Sequence, residues 1–237
     1  MDPATHIEHI RTDSAGLLAA CLADPSAPVP SCPGWDRTEL LAHVGGVHAW
    51  VRTQLVAGNA ERIRLSTVER PPHDGSLPTW YEQGAAALVE ALAGMDLDAT
   101  WPTWAGPQPG SFFPRRMAVE TALHRWDADR SPIDPALAVD GVDEHLELFA
   151  PRLPGDAFAA SPGTIHLHAT DAEGEWLVDL AASGITFEHG HAKGEVALRG
   201  SASDLLLWAW NRVPVDDRFQ VFGDPHLLEV WRHSVVF

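Results

Sequence analysis

The chain has 237 residues, of which 33 are acidic and 16 basic, giving a formal net charge of −17. Such a surface disfavours nucleic acid and anionic membranes as partners, because phosphate binding depends on clustered lysine and arginine. No apolar run approaches the length of about 20 residues that a membrane-spanning helix needs, and the length suffices for two domains with separate cores.

The first two predicted helices are separated by a proline-rich connection. Apolar residues at helical spacing predict a first helix over about 4–23. Asp36 followed by Glu39 resembles a capping box that opens a second helix toward Ala57. Gly45 and its neighbour Gly46 interrupt that helix at some cost, which favours close packing against another helix.

Two more helices complete a predicted bundle. Thr79 and Glu82 repeat the capping signature before a third helix, and a loop rich in Pro, Gly and Trp follows over 96–113. A fourth helix is predicted from Pro114 to Asp129, since proline suits the first helical turn. Four amphipathic helices of this length are typical of a four-helix bundle.

The hydrophobic pattern changes in the second half of the chain. A shorter helix over 142–153 is predicted to end an N-terminal helical domain, 1–153, and a linker over 154–163 to separate it from a small α+β domain, 164–237. Alternating apolar residues predict a first strand over 164–170. The remaining elements are predicted as strands near 176–180, 185–188, 195–199 and 219–222, with helices over 201–210 and 225–231. The fold class is therefore α+β overall, with the helical bundle first.

The fourth helix carries the pattern that points to chemistry. Glu120 and His124 are four residues apart, so both side chains emerge on one face of the helix. A carboxylate and an imidazole so placed can bind one divalent ion, and a third ligand from another helix would complete the site. His43 lies beside the apolar stripe of the second helix and is the predicted third ligand, whereas His48 is less well aimed.

The same helix supplies reasons to prefer a metal site over a solvated surface pair, which is the usual role of a Glu–His pair at this spacing. Phe113, Met117 and Thr121 fall on the same side as Glu120 and His124, which predicts a buried face. A buried charge needs a partner or a metal. Asp127, three residues beyond His124, could orient a histidine ligand, or could be an ordinary polar residue near a helix end. Three protein ligands would leave a fourth position open, as in catalytic zinc sites.

Two N-terminal motifs and one C-terminal run resemble a known family. The run Cys-Pro-Gly-Trp-Asp at 32–36, with Leu-Leu-Ala-His-Val at 40–44, resembles the N-terminal signature of the mycothiol-dependent maleylpyruvate isomerase family. That family belongs to the wider DinB-like group of metal-binding four-helix bundles. The run at 118–127 resembles its second signature, and the run at 200–207, ending at Asn211 and Arg212, resembles its smaller C-terminal domain.

This resemblance implies a specific chemistry. His43, Glu120 and His124 match the zinc ligands of the family, and the open position would take the sulfur of mycothiol, a low-molecular-weight thiol of actinobacteria. Zinc lowers the pKa of a thiol and presents a thiolate near neutral pH. The thiolate would isomerise a small electrophilic substrate or be transferred to it. Arg212 matches, more loosely, an arginine that is frequent at this helix end. It would have a catalytic or binding role by binding a carboxylate of the substrate or thiol, or would be an ordinary surface arginine.

Two other functions remain open on the residues alone. Zinc could activate water instead of a thiol, which would make the protein a metal-dependent hydrolase. Alternatively, the metal could be structural or absent, and the protein could bind a small molecule or a partner without catalysis. Two nitrogens and one carboxylate also suit nickel, cobalt or iron, so another divalent metal could replace zinc.

Several further residues are interpreted as non-functional. His166 and His168 alternate on a predicted strand and His189 and His191 flank a predicted turn, but no carboxylate can be assigned to either pair, which favours surface histidines. Cys32 is interpreted as a structural loop residue, because no histidine base can be placed beside it.

The remaining expectations concern the protein's location and partners. The first ten residues carry acidic residues and histidines and do not resemble a signal peptide. Two cysteines do not make a disulfide framework. We therefore expect a cytoplasmic protein with reduced thiols, acting as a monomer or small homo-oligomer on a small molecule, without nucleic acid or membrane partners.

Overall fold

The computed structural model describes residues 1–153 and 156–235, without the side chains of residues 156 and 157. The chain divides into two compact units, Met1–Ser131 and the part that begins at Pro132. No helix among the described residues is both long and apolar enough to cross a membrane.

Over the fully described residues 1–131, four α-helices form a bundle, as predicted. They are α1 (Pro3–Ala23), α2 (Arg37–Ala57), α3 (Leu77–Ala93) and α4 (Phe112–Asp129). Helices α1 and α2 each pack against both α3 and α4. The core between them contains fully buried leucine and valine side chains together with Tyr81 and the free cysteine Cys21.

Local hydrogen bonds mark where α2 and α3 begin. The capping box of α2 is confirmed, since the Asp36 carboxylate accepts from the Glu39 amide and the Glu39 carboxylate accepts from the Asp36 amide. The cap predicted at Thr79 is wrong, because α3 already begins at Leu77 and Thr79 lies within it. Asp74 organises this start instead, accepting bonds from the backbone and the hydroxyl of Ser76 at 2.8 and 2.6 Å.

The segment before α4 is more ordered than the predicted loop. It contains an antiparallel hairpin of β1 (Thr100–Thr103) and β2 (Gly106–Pro109). The turn is closed by Thr103, whose hydroxyl donates to the Gly106 carbonyl, and Gly106 adopts a φ of 95°, which glycine tolerates without strain. Helix α4 then begins two residues earlier than predicted, at Phe112.

Two contacts position α4 and α2 within the bundle. Arg125 of α4 donates to Asp13 of α1 over 2.8 Å, and both residues are buried. Gly45 of α2 lies where a Cβ atom would come within 2.5 Å of the Trp80 ring on α3. The close helix packing expected at this glycine is therefore present.

Within the described part of the second unit, five strands form one sheet in the order β5-β4-β3-β6-β7. The strands are β3 (Gly163–Ala169), β4 (Glu175–Ala181), β5 (Gly184–His189), β6 (Val196–Gly200) and β7 (Gln220–Gly223). Strands β3 and β6 are parallel, and the other neighbours are antiparallel. The accompanying helices are α5 (Pro135–Glu144), α6 (Asp156–Ala159), α7 (Ala202–Ala209) and α8 (His226–Ser234). The α+β fold class and each predicted strand are confirmed.

The start of the second unit differs from the predicted division at 154–163. Helix α5 begins at Pro135, before the helix predicted over 142–153. In the structure that predicted helix corresponds to the end of α5, followed by a π-helical turn and a short 3-10 turn. Helix α5 packs on α7, and Trp176 of β4 donates to the Asp143 carboxylate over 2.6 Å, so this segment belongs with the sheet. Of the predicted linker, residues 154 and 155 lie outside the described residues, and 156–159 form α6.

Candidate metal centre

Three predicted ligands meet where α2 faces α4. Glu120 and His124 lie one turn apart on α4, and His43 approaches from α2. Glu120 Oε1 lies 3.5 Å from His43 Nε2 and 3.4 Å from His124 Nε2. One ligand atom from each of the three residues lies within 4.8 Å of the other two. The structure therefore brings these three side chains together.

Arg116 holds the second oxygen of Glu120. Its Nη2 donates to Glu120 Oε2 over 2.5 Å, one helical turn before the carboxylate, and the arginine side chain is buried. Burial alone would raise the pKa of Glu120, but the Arg116 charge and the bonds from His124 and His43 hold it well below its usual range. The carboxylate is thus ionised, with Oε1 directed toward the two histidines.

Asp127 and Cys32 contact the other side of His124. Asp127 Oδ2 lies 2.8 Å from His124 Nδ1 and 3.8 Å from Cys32 Sγ. An ionised carboxylate here accepts the Nδ1 proton, which leaves Nε2 facing Glu120. Burial lowers the pKa of His124, but the bonds with Asp127, Cys32 and Glu120 raise it well above its usual range.

The surroundings of the three residues differ in access to solvent. The His43 side chain is 37% exposed, against 17% for Glu120 and 9% for His124. Trp35 contacts His43 with a ring-centroid separation of 4.9 Å. His48 lies elsewhere on α2, fully buried, with its Nε2 3.0 Å from the Thr121 hydroxyl.

The donor set is suited to a divalent metal ion. Two imidazole nitrogens and one carboxylate oxygen are ligands that zinc accepts. Among the described residues, this group has three members, His43, Glu120 and His124. Outer partners such as Arg116 and Asp127 are the kind that fix the orientation of metal ligands. The residues present therefore fit a divalent ion bound by three protein side chains, with a fourth coordination position left for another molecule.

Arg212 lies in the second unit, three residues after the end of α7. Asn211 adopts a left-handed φ of 56°, and the Arg212 amide donates to the Leu207 carbonyl, which ends the helix. The guanidinium lies 5.8 Å from the centroid of the Trp210 ring. The role predicted for Arg212 stays a prediction.

Sequence reasoning missed two residues of this centre. The expectation that no histidine lies near Cys32 is wrong, because Cys32 forms a group with His124 and Asp127. The feature of the sequence that could have indicated a role for Cys32 is its position in the family motif at 32–36. Arg116 was also overlooked, although its spacing of four residues before Glu120 is typical of a helical ion pair.

Comparison with known proteins agrees with the fold and the motifs. The family model described as "Mycothiol maleylpyruvate isomerase N-terminal domain" matches residues 7–129, and the "MDMPI C-terminal domain" model matches residues 136–229. A crystal structure of a mutant of the mycothiol-dependent maleylpyruvate isomerase is 15% identical with a TM-score of 0.65. A second structure of that isomerase is 14% identical with a TM-score of 0.63, and both alignments cover 93% of each chain.

At these identities the structural likeness shows a shared fold. A comparison with curated proteins gives no match. The two family models together span most of the chain, from residue 7 to residue 229. This protein belongs to the mycothiol maleylpyruvate isomerase family.

Proposed function

We propose that this protein is a mycothiol-dependent isomerase of a small electrophilic substrate, and that it binds a divalent ion, zinc by preference, through His43, Glu120 and His124. The observation that carries the proposal is the convergence of these three donors from α2 and α4. Membership of the family supports the thiol and the isomerase class.

The chain's own residues prepare the ligands. Arg116 occupies Glu120 Oε2, so Oε1 remains available on the side of the histidines. Asp127 occupies His124 Nδ1, so Nε2 is the nitrogen that would bind an ion, which displaces its proton. When bound, zinc and the thiol would together supply a thiolate that adds reversibly to an activated double bond, so that the bond can rotate before the thiolate leaves.

His43 leaves the centre accessible from solvent. Its partly exposed side chain, flanked by Trp35, is the most open of the three proposed ligands. A thiol and a substrate would therefore approach past His43 and the indole of Trp35. The buried carboxylate and His124 lie on the inner side and would keep their orientation during turnover.

Arg212 is proposed to bind a carboxylate of the substrate or of the thiol. A guanidinium can bind a carboxylate through two parallel hydrogen bonds, which a lysine cannot reproduce. We expect Arg212→Lys to raise KM for the acidic ligand roughly tenfold or more while zinc content stays unchanged. An unchanged KM would remove Arg212 from the binding site.

The test of the proposed function begins with cobalt substitution of the untagged protein. Addition of mycothiol should produce a sulfur-to-cobalt charge-transfer band, and S-methyl mycothiol should not. His43→Ala, Glu120→Gln and His124→Ala should each abolish the band while the far-UV circular dichroism of the bundle is retained. A band that persists in all three variants would place the metal elsewhere.

Turnover then separates the competing reactions. Maleylpyruvate and related cis-unsaturated acids should be isomerised only when mycothiol is present, with the thiol recovered unchanged. Recovery of a stable thiol adduct would instead identify an S-transferase. Turnover in thiol-free buffer would contradict the proposal and favour a hydrolase.

A further inference from the structure

A second cluster of metal-ligating side chains lies on the sheet of the second unit. His166 and His168 belong to β3, Glu175 begins β4, and His191 follows the end of β5 by two residues. One ligand atom from each residue lies within 4.8 Å of those of the other three. The expectation that these histidines lack a carboxylate is wrong, because the β3–β4 register places Glu175 opposite His168.

Both oxygens of Glu175 contact imidazole nitrogens. Oε1 lies 2.9 Å from His168 Nδ1, whereas Oε2 lies 2.9 Å from His191 Nδ1 and 3.3 Å from His166 Nε2. A tetrahedral zinc ion with bonds of about 2.0–2.2 Å separates its ligand atoms by roughly 3.3 Å. The distances between Glu175 and the three histidines are therefore close to the spacing that coordination requires.

The cluster combines a buried ligand with an exposed one. The His166 side chain is 7% exposed and that of His191 is 81% exposed, and their ring centroids are 5.2 Å apart. A depression of about 410 Å³, lined in part by His168 and Glu175, adjoins the cluster. An ion can reach His168 and Glu175 from solvent through this depression.

The positively charged Arg199 lies on the strand next to β3, but its guanidinium is directed away from the cluster. Arg199 of β6 pairs in register with His168, but its guanidinium donates to Gln220 of β7, on the side away from β4. The net charge of −17 also favours cation binding over anion binding.

We propose that His166, His168, Glu175 and His191 form a second metal site, a closed four-ligand site for zinc or a similar divalent transition metal. Three imidazoles and one carboxylate match the ligands that zinc prefers. Four protein ligands leave no position for substrate, so the ion acts structurally, tying β3 and β4 to the segment after β5. The proposal is independent of thiol chemistry in the first unit.

The test measures zinc in the untagged full chain by plasma mass spectrometry, after loading and buffer exchange. A background carrying His43→Ala and His124→Ala removes the first proposed centre, and it should still hold about one zinc ion per chain. Adding Glu175→Gln or His191→Ala should reduce the content to nearly none. His226→Ala, an exposed histidine of the same unit that bonds Ser161, should leave it unchanged.

Cobalt spectra of the otherwise unaltered chain provide a second measurement, in case the background variant does not fold. Glu175→Gln should remove the visible absorption of one four-coordinate cobalt ion and leave the thiol-responsive band intact. Equal zinc contents in the background and in its Glu175→Gln and His191→Ala variants would overturn the proposal, as would a folded background that binds no zinc. The absence of a thiol-responsive band in the unaltered chain would contradict the proposed function of the first unit and would not affect the zinc contents that test the second site.

Discussion

At the level of single residues, the candidate metal centre depends on partners that hold the ligands. Arg116 engages one oxygen of Glu120, and Asp127 engages one nitrogen of His124. Each partner leaves the opposite atom of its ligand directed toward the centre. The orientation of Glu120 and His124 is therefore built into α4 itself.

Replacing Arg116 tests this dependence. In Arg116→Met the second oxygen of Glu120 loses its partner, and we expect a 10- to 100-fold weaker zinc affinity, the usual effect of removing a group that orients a metal ligand. Competition with a chromogenic chelator measures the affinity. Arg11→Met, which removes an exposed arginine paired with Glu8, is the control and should bind zinc as the wild type does. Equal affinities would mean that Arg116 serves only the fold.

The buried His48 makes a separate prediction for stability against pH. The Thr121 hydroxyl donates to the Met117 carbonyl, so His48 Nε2 donates to Thr121 Oγ1 and the ring is neutral. Burial lowers the pKa of His48 from 6.5 to about 4. The unfolded chain therefore takes up a proton as pH falls through 6.5, whereas the folded chain resists until about 4. Stability is lost across that interval, by on the order of 3 kcal/mol.

His48→Leu removes this titration and keeps a buried side chain of similar size. We expect its free energy of unfolding, measured with urea at several pH values, to fall less steeply than that of the wild type between neutral pH and about pH 4. His73→Leu, at an exposed position, should keep the wild-type slope. A wild-type slope in His48→Leu would show that other groups control the acid sensitivity.

At the level of elements, the approach of α2 to α3 sets how the ligand-bearing face of α2 is held. A Cβ atom at Gly45 would lie 2.5 Å from the Trp80 ring, whereas at Gly46 the nearest atom belongs to Pro71 at 3.5 Å, an ordinary contact. Arg37, at the start of α2, also donates to carbonyls at the ends of α1 and α4. These contacts fix the first half of α2.

The two neighbouring glycines form a matched pair of variants. Gly45→Ala should destabilise the protein by about 1–3 kcal/mol, because the added methyl group forces Trp80 to move. Gly46→Ala should be neutral or stabilising by up to about 1 kcal/mol, since alanine favours helix more than glycine does. Urea unfolding midpoints measure both. A similar loss in the two variants would show that helix packing at Gly45 is loose.

At the level of the whole molecule, each unit has its own core and its own cluster of residues that could bind a metal ion. The bundle buries a large apolar core apart from the three ligands, and the sheet is paired along all five described strands. Neither fold therefore depends on an ion in the way that a very small zinc domain does.

Metal removal should consequently lower stability without unfolding the protein. After chelation, the far-UV circular dichroism at room temperature should be unchanged, and the Tm should fall by a few degrees relative to zinc-loaded protein, as expected when a ligand binds only the folded state. Calorimetry with and without zinc measures the shift. Loss of helical signal on chelation would show that the ion is required for the bundle itself.

Local features of the sequence predicted most of the elements and the ligand types. The capping box at Asp36, the helical spacing of Glu120 and His124, and the alternation of β3 each depend on residues a few positions apart. Short-range backbone hydrogen bonding and side-chain periodicity are encoded within one segment, so they can be recognised in sequence. The same holds for the family motifs.

Tertiary structure alone decided which distant groups share a site. Cys32 lies beside Asp127, 95 residues away, because packing of the bundle joins the loop before α2 to the end of α4. Glu175 meets His168 and His191 because strand register sets which side chains are opposite. The second unit begins before α5 because α5 packs on α7. Register and packing arise from burial summed over whole elements, which no single segment contains.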